Sequence, residues 1–337
     1  MLPVGVVSHE NKHVSEEGYV LHSYGSDAYV RHAVASVVTL RRHDTARPVA
    51  LYCPPSHRDE LQRHGLAGMF TLIEDLPEDH RSNLGFKLHL HRFMPFERSL
   101  FVDADMVWCR DPDPLWTQLS VYPFTATGVE RADFYFGGPK GLPVILDILR
   151  DRRYRTLRAF DLTYLPRVQA GMIYARDRTI VREVSDLANG FFARRAETHF
   201  RTRFLEGRSE ESCEWSLAMA MSTLALPTYA WLQGHNSPQL DFVEGMTEYG
   251  ENFTEVSCHY YCDRFIYDIR GIPNQRLRDF LIRLAGGVLR RRDMILVTPF
   301  VLHFSWLHAK EPFHAFVQRT WVRLTESQEG PKLVVTG

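Results

Sequence analysis

Two aspartates separated by one residue lie within the stretch Ser99–Trp116, SLFVDADMVWCRDPDPLW. Asp103 and Asp105 follow the apolar residues of a predicted buried strand, and in an extended chain both side chains point to the same side. Two carboxylates this close repel each other unless a cation lies between them or one is protonated. Because oxygen ligands of this kind suit Mg²⁺, Mn²⁺ or Ca²⁺, the pair indicates a divalent-metal site. Pro112, Asp113 and Pro114 predict a turn that closes the segment. Solvated, turn-forming aspartates are the alternative to a metal site.

Other side chains that can serve such a site lie elsewhere in the sequence. The stretch Phe300–Pro312, FVLHFSWLHAKEP, predicts a strand that carries His303 and a loop that carries Lys310. A histidine can complete a metal shell and a lysine can bind a phosphate. Lys87 is the nearest upstream cation that can face the same pocket. The alternatives are a packed core histidine and surface lysines.

The first part of the chain alternates between strand-like and helix-like segments. Tyr19–Ser23 and Pro48–Cys53 have the apolar character of strands, whereas Ala28–Arg42 repeats apolar residues at helical spacing. This order, with short connections, predicts an α/β fold with a parallel sheet and helices on both faces. Ligands bind such sheets at the carboxyl ends of the strands. We therefore expect the polar turn Tyr24–Asp27 and the aspartate pair at one edge.

The middle of the chain contains a strand interrupted by a glycine. Val168–Tyr174 is apolar around Gly171, and glycine inside a strand often marks close approach of a ligand or another backbone. A helix is predicted over Thr179–Asn189, ended by Gly190. Gln233–Asn252 is rich in Gly, Asn, Pro and acidic residues, so we expect loops there that can recognise a substrate.

An amphipathic helix with an aromatic face is predicted near the C-terminus. Pro312–Leu324 begins with a helix-start proline and places Phe313, Phe316 and Trp321 on one aromatic face. Such a helix can lie on a membrane surface, or it can pack this face onto the sheet. Packing is the favoured interpretation because the flanking arginines are few.

Composition excludes several classes of protein. Among 337 residues the net charge is −1, which gives no general attraction to nucleic acid. No apolar run approaches the roughly 18 residues that a transmembrane helix needs. The five cysteines are odd in number and scattered, so we expect a reducing, cytoplasmic compartment rather than a disulfide framework. Zinc at Cys258–Cys262 is disfavoured because no second Cys or His pair follows at a matching spacing.

These motifs together resemble one enzyme family. SLFVDADMVW followed by Asp-Pro and Leu-Trp is similar to the metal-binding segment of the nucleotide-sugar transferases related to glycogenin and the bacterial lipopolysaccharide galactosyltransferases. Those are retaining glycosyltransferases of family eight with the GT-A fold. The resemblance extends to Gln169-Ala170-Gly171, to the predicted helix Ser212–Ala220 and to the late histidine and lysine, and it covers most of residues 18–312. It implies a Rossmann-like, mostly parallel sheet with a loop-rich C-terminal acceptor side.

The resemblance also implies roles for individual residues. Asp103, Asp105 and His303 would coordinate Mn²⁺ or Mg²⁺. Lys310 would contact the diphosphate of a nucleoside-diphosphate sugar, expected to be UDP-linked, and Lys87 the diphosphate or the sugar. Gln169 and Glu214 would face the donor sugar as the catalytic residues. The other expected contacts to the nucleotide are Ser23, Tyr24, Asp27 and Ala104.

The resemblance leaves the organisation and the partners as expectations. Residues 1–312 would form a single GT-A domain, with a nucleotide-binding half over 18–130 and a donor-sugar and acceptor half over 131–312. Residues 313–337 would form the C-terminal helix and tail. The acceptor can be a carbohydrate, glycolipid, protein or small molecule, and peripheral membrane contact stays possible.

Two other functions fit parts of the sequence. A haloacid dehalogenase-type phosphatase would use Asp103 as its nucleophile, since that group also places an aspartate pair after an apolar strand. A catalytically silent nucleotide-sugar binding protein is the second alternative, because Glu214-Trp215 replaces the Asp-Gln pair of the family.

Overall fold

A mixed α/β fold surrounds one seven-stranded sheet, as the sequence predicts. The computed structural model describes residues 16–129, 150, 152–200, 210–261, 294–305 and 310–328, with 274, 276–277, 280–281 and 284. The strands of the central sheet are β1 (Glu17–His22), β2 (Val49–Cys53), β3 (Leu72–Asp75), β4 (Arg98–Val102), β6 (Phe124–Val129), β7 (Arg167–Ala175) and β8 (Tyr229–Ala230). Their order across the sheet is β3-β2-β1-β4-β7-β6-β8.

The sheet is mostly parallel, with β7 as the exception. β1, β2, β3 and β4 pair in parallel, whereas β7 runs antiparallel to both β4 and β6. The predicted short strand Val168–Tyr174 is nine residues long and buried throughout. Its pairing with β6 shifts register between Ala126 and Thr127, so β7 bulges around Gly171. That bulge faces the end of β4.

Helices in the described part of the chain pack with the strands in shared hydrophobic clusters. They are α1 (Asp27–Leu40), α2 (Pro55–Arg63), α3 (Asn83–Lys87), α4 (Asp113–Leu119), α5 (Arg152–Ala159), α6 (Arg178–Ala193), α7 (Glu214–Thr223) and α8 (Glu311–Gln328). Short 3₁₀ turns occupy Ala67–Met69, Glu78–His80, Leu90–Arg92, Arg195–Glu197, Gly234–Asn236 and Glu251–Phe253. The hydroxyl of Ser26 accepts a hydrogen bond from the backbone N–H of Ala28, which caps α1.

Two predicted helix and turn boundaries are wrong. α6 continues through Gly190 to Ala193, because its apolar face extends to the buried Phe191 and outweighs the weak helix propensity of one glycine. The expected turn around Pro112–Pro114 instead opens α4, where a proline in the first helical turn costs no hydrogen bond.

Two small sheets organise the C-terminal third, where the sequence predicted loops. The first contains β5 (Met106–Trp108), β13 (Val301–His303) and β9 (Gln239–Asp241); the second contains β10 (Thr247–Tyr249), β11 (Val256–Tyr261) and β12 (Met294–Val297). Thus β9 and β10 lie inside Gln233–Asn252. The rest of that stretch is loops, turns and short 3₁₀ segments, as expected. The two strands were not predicted because a three-residue strand such as Gln-Leu-Asp is too short to show apolar alternation.

The C-terminal helix packs its aromatic face into the protein. Phe313, Phe316 and Trp321 are buried, and the guanidinium of Arg31 from α1 lies 4.8 Å from the ring centre of Trp321. This confirms packing over the membrane-surface alternative for this face. Among the described residues, no helix combines the length and apolar character that crossing a bilayer requires.

Trp321→Ala should lower the free energy of unfolding by about 3 kcal/mol or more, because deleting a buried aromatic side chain leaves a cavity. Urea denaturation of the purified protein measures the change. The neighbouring Val322→Ala is the matched control: Val322 is 37% exposed against 5% for Trp321. It should cost less than about 0.5 kcal/mol. Equal effects of the two substitutions would contradict the packing.

Candidate metal and nucleotide site

A polar cleft of about 520 Å³ lies at the carboxyl ends of β1 and β4. This is the edge at which α/β sheets bind ligands. The bulge of β7, the end of β13, α3 and the residues that precede α7 complete its wall. The cleft therefore gathers side chains from both ends of the chain.

Asp103 leaves the end of β4 and is held on both its backbone and its side chain. Its N–H donates to the carbonyl oxygen of Gly171 at 2.9 Å, and a carboxylate oxygen lies 2.7 Å from Nζ of Lys87. Lys87 is buried at the end of α3. Burial lowers the pKa of this lysine, but Asp103 together with Cys213 and Glu214 outweighs that effect, so the net shift is upward.

Asp105 faces two cationic side chains from the C-terminal part of the chain. Its carboxylate lies 2.5 Å from Nζ of Lys310 and 3.5 Å from Nε2 of His303. Burial raises the pKa of Asp105, but Lys310 and His303 outweigh that effect and hold the pKa well below its usual range. Burial likewise lowers the pKa of His303, and hydrogen bonds to Asp105 and Asp241 overcome it, raising the pKa to about 10.

The donor set fits a divalent cation. One ligand atom each from Asp103, Asp105 and His303 lies within 4.8 Å of the others. Two carboxylate oxygens and an imidazole nitrogen are a suitable set for Mn²⁺, and Mg²⁺ shares the preference for carboxylates. The buried hydroxyl of Ser305 also belongs to the cleft wall and has no hydrogen-bond partner among the described residues. The disfavoured zinc alternative involves Cys258–Cys262, and Cys262 lies outside the described residues.

Gln169 and Gly171 lie in the bulge of β7, next to the aspartate pair. The Oε1 atom of Gln169 accepts a hydrogen bond from the N–H of Gly171 at 2.8 Å, and its Nε2 atom lies 3.0 Å from Nδ1 of His303. A Cβ atom at Gly171 would lie 2.7 Å from Met106 Cε and 3.1 Å from His303 Cε1. Side chains, rather than another backbone, crowd the position, so a larger residue here would require Met106 and Gln169 to shift.

Glu214 lines the cleft at the start of α7. Its carboxylate accepts hydrogen bonds of 3.3 Å from the backbone N–H of Ala170 and from the hydroxyl of Ser212. Trp215 points away from the cleft, is buried and stacks on Phe192 at 5.7 Å. Trp215, at the position where the resembled family has an amide, is thus part of the hydrophobic core.

The expected nucleotide contacts separate into two groups. Ser23, Tyr24 and Ala104 line the cleft, whereas Asp27 is absent from its wall and lies at the exposed start of α1. The hydroxyl of Tyr24 donates to the Glu210 carboxylate at 2.9 Å, across 186 positions of sequence.

Several cleft residues were not predicted from the sequence. They are His22, Tyr29, His32, Asn83, Glu210, Glu211, Cys213 and Ser305. Burial next to Lys87 lowers the pKa of His22 to about 3, so this ring is neutral and packs on Phe86 at 4.1 Å. Its position at the end of a predicted strand was the available signal. For Glu210 no pattern in the sequence was available, because its partners are distant.

Comparison with known proteins gives structural likenesses only. A scan of protein-family models and a search of curated proteins both return no match. A structure of the galactosyltransferase LgtC with donor and acceptor sugar analogues is similar over 92% of this chain and 95% of that chain, with 12% identity and a TM-score of 0.47.

Two further solved structures match only part of a longer chain. The glycosyltransferase GlyE of Streptococcus pneumoniae TIGR4 is similar over 94% of this chain and 63% of its own, with 11% identity and a TM-score of 0.45. The bifunctional glycosyltransferase WbbM is similar over 94% and 51%, with 11% identity and a TM-score of 0.49. All three have the names of glycosyltransferases, the class that the sequence resembles. At these distances, function has to be inferred from the side chains of the cleft.

Asp105→Ala should remove the stabilisation of the protein by Mn²⁺, since it deletes one of three ligands. At 100 times its dissociation constant, Mn²⁺ should stabilise the unaltered protein by about 2.7 kcal/mol. Thermal unfolding with increasing Mn²⁺ measures this. Asp113→Ala, at an exposed carboxylate in the same segment, is the control and should respond as the unaltered protein does. A full response of Asp105→Ala to Mn²⁺ would exclude this cluster as the binding site.

Proposed function

We propose that the protein is a metal-dependent glycosyltransferase that moves a sugar from a nucleoside-diphosphate sugar, UDP-linked, to an acceptor. The observation that carries the proposal is the cluster of Asp103, Asp105 and His303, flanked by two lysines, in a cleft at the carboxyl ends of the strands. Retention of stereochemistry follows from the family resemblance. The acceptor is a carbohydrate, glycolipid, protein or small molecule.

The chemistry of the reaction matches the charges of the cleft. Negative charge builds on the diphosphate as the glycosidic bond breaks, so groups that neutralise it lower the barrier. Lys87 and Lys310 pair with the two carboxylates, and the same ammonium groups can donate to phosphate oxygens of the donor. Asp103, Asp105 and His303 would hold a divalent cation, which would supply Lewis-acid stabilisation of the leaving group.

The donor sugar is proposed to lie between the bulge of β7 and the start of α7. Gln169 and Glu214 both line the cleft there. The carboxylate of Glu214 accepts long hydrogen bonds of 3.3 Å from Ala170 and Ser212, which a closer sugar hydroxyl can replace. Ser23, Tyr24 and Ala104 line the cleft on the side proposed to bind the nucleotide.

A cytoplasmic location remains a prediction. The thiols of Cys53 and Cys109 are free.

The deciding assay measures release of nucleoside diphosphate from a panel of nucleotide sugars with Mn²⁺, and release of phosphate from a generic phosphomonoester. Asp103→Ala should lower nucleoside-diphosphate release about a hundredfold or more, the consequence of losing roughly 2.7 kcal/mol of transition-state stabilisation. EDTA should have a similar effect. Phosphate release that depends on Asp103 would favour the phosphatase. Binding of a nucleotide sugar with no turnover against any acceptor would favour the silent binding protein.

Lys310→Ala should weaken UDP binding about tenfold while leaving uridine binding unchanged, because the ammonium group is proposed to contact phosphate only. Titration calorimetry with both ligands measures the difference. Arg319→Ala, which removes an exposed cation from α8, is the control for a change in overall charge. An equal loss for UDP and uridine would place Lys310 away from the phosphates.

A further inference from the structure

His303 presents its two ring nitrogens to different parts of the protein. Nε2 faces the cleft, 3.5 Å from Asp105 and 4.0 Å from Asp103. Nδ1 faces the interior, 3.1 Å from a carboxylate oxygen of Asp241 and 3.0 Å from Nε2 of Gln169. The ring can therefore serve a cation with one nitrogen while the other is held from behind.

The position of Asp241 is set by backbone pairing. β9 and β13 run in parallel, and Asp241 is the direct partner of His303 in that register. Asp241 is 5% exposed and does not line the cleft. It therefore cannot reach a substrate in the cleft as a general base.

The hydrogen bonds of His303 Nδ1 with Gln169 and with Asp241 require opposite protonation of that nitrogen. The Oε1 atom of Gln169 accepts hydrogen bonds from the N–H of Gly171 and from Nε2 of Gln239, which fixes its amide nitrogen towards His303. An amide N–H can bond only to an Nδ1 atom without hydrogen, whereas the Asp241 carboxylate can bond only to an Nδ1–H. The two bonds exclude each other.

A metal bond at Nε2 is compatible with only one of these two hydrogen bonds. A neutral imidazole that offers the lone pair of Nε2 must carry its hydrogen on Nδ1, and carboxylates commonly accept that hydrogen in metal sites. Only Asp241 stabilises this tautomer. The Gln169 contact favours the tautomer with hydrogen on Nε2, which cannot ligate through the nitrogen that faces the aspartate pair.

We propose that Asp241 is the positioning residue that holds His303 as the Nδ1–H tautomer and thereby presents Nε2 to the cation. This inference rests on the proposed function, since it needs a cation at the Asp103–Asp105 pair. Asp241 touches neither substrate nor cation; it acts through the imidazole.

The test is the Mn²⁺ affinity of variants, measured from the electron paramagnetic resonance signal of free Mn²⁺. Asp241→Leu removes the acceptor and should weaken binding about tenfold to a hundredfold. Asp241→Asn removes the charge but keeps an oxygen that can accept from Nδ1–H, so its loss should be smaller. Asp44→Asn is the control: Asp44 is equally buried but bonds to Tyr19 and Arg47 instead of the cleft. It should bind Mn²⁺ as the unaltered protein does.

A second measurement separates positioning from folding. In ¹⁵N-labelled protein saturated with Mg²⁺, the ring nitrogens of His303 should show the Nδ1–H tautomer, and Asp241→Leu should lose it. If Asp241→Leu does not fold, Asp241→Asn must still bind Mn²⁺ more weakly than the control. Unchanged affinity in folded Asp241 variants, with loss in Asp105→Ala, overturns the inference alone. Absence of Mn²⁺ binding by the unaltered protein overturns the proposed function as well.

Discussion

The repulsion between two neighbouring carboxylates is the constraint on which the site depends. Asp103 and Asp105 leave the end of β4 together, and the hydrogen bond from the N–H of Asp103 to Gly171 fixes the first of them. Such a pair stays ionised on both members at low exposure only with positive charge beside it. That charge comes from α3 through Lys87 and from the C-terminal part of the chain through His303 and Lys310, the last of these 205 positions after Asp105.

Backbone pairing delivers the distant histidine. The strand that follows the aspartates, Met106–Trp108, pairs antiparallel with Val301–His303, and His303 is the direct partner of Met106. The two halves of the donor set are thus joined by ladder hydrogen bonds rather than by a flexible loop. Asp241 comes from the strand on the other side, so three short strands together determine how the imidazole is oriented.

The sequence was sufficient for features that depend on local pattern. The strand before Asp103, the capped helix that follows Ser26, and the late strand with His303 all appear near the predicted positions. The partnership of Asp241 with His303 and the inward turn of the Gln169 amide could not be predicted, because both depend on strand register across the fold. The Gln169 side chain bends back to accept a hydrogen bond from Gly171 of its own strand. The bulge of β7 around Gly171 accounts for this contact.

The two lysine–aspartate pairs also have a thermodynamic consequence. Each ammonium group is paired with a carboxylate. Under the proposed function, a cation binds the aspartates of these two pairs and a diphosphate binds the lysines. When the cation binds the aspartates, the lysines are released to bind the diphosphate, and the reverse holds when the diphosphate binds first. Linkage then requires each to raise the affinity for the other by the same factor, so the cleft selects the metal–nucleotide combination over either component alone.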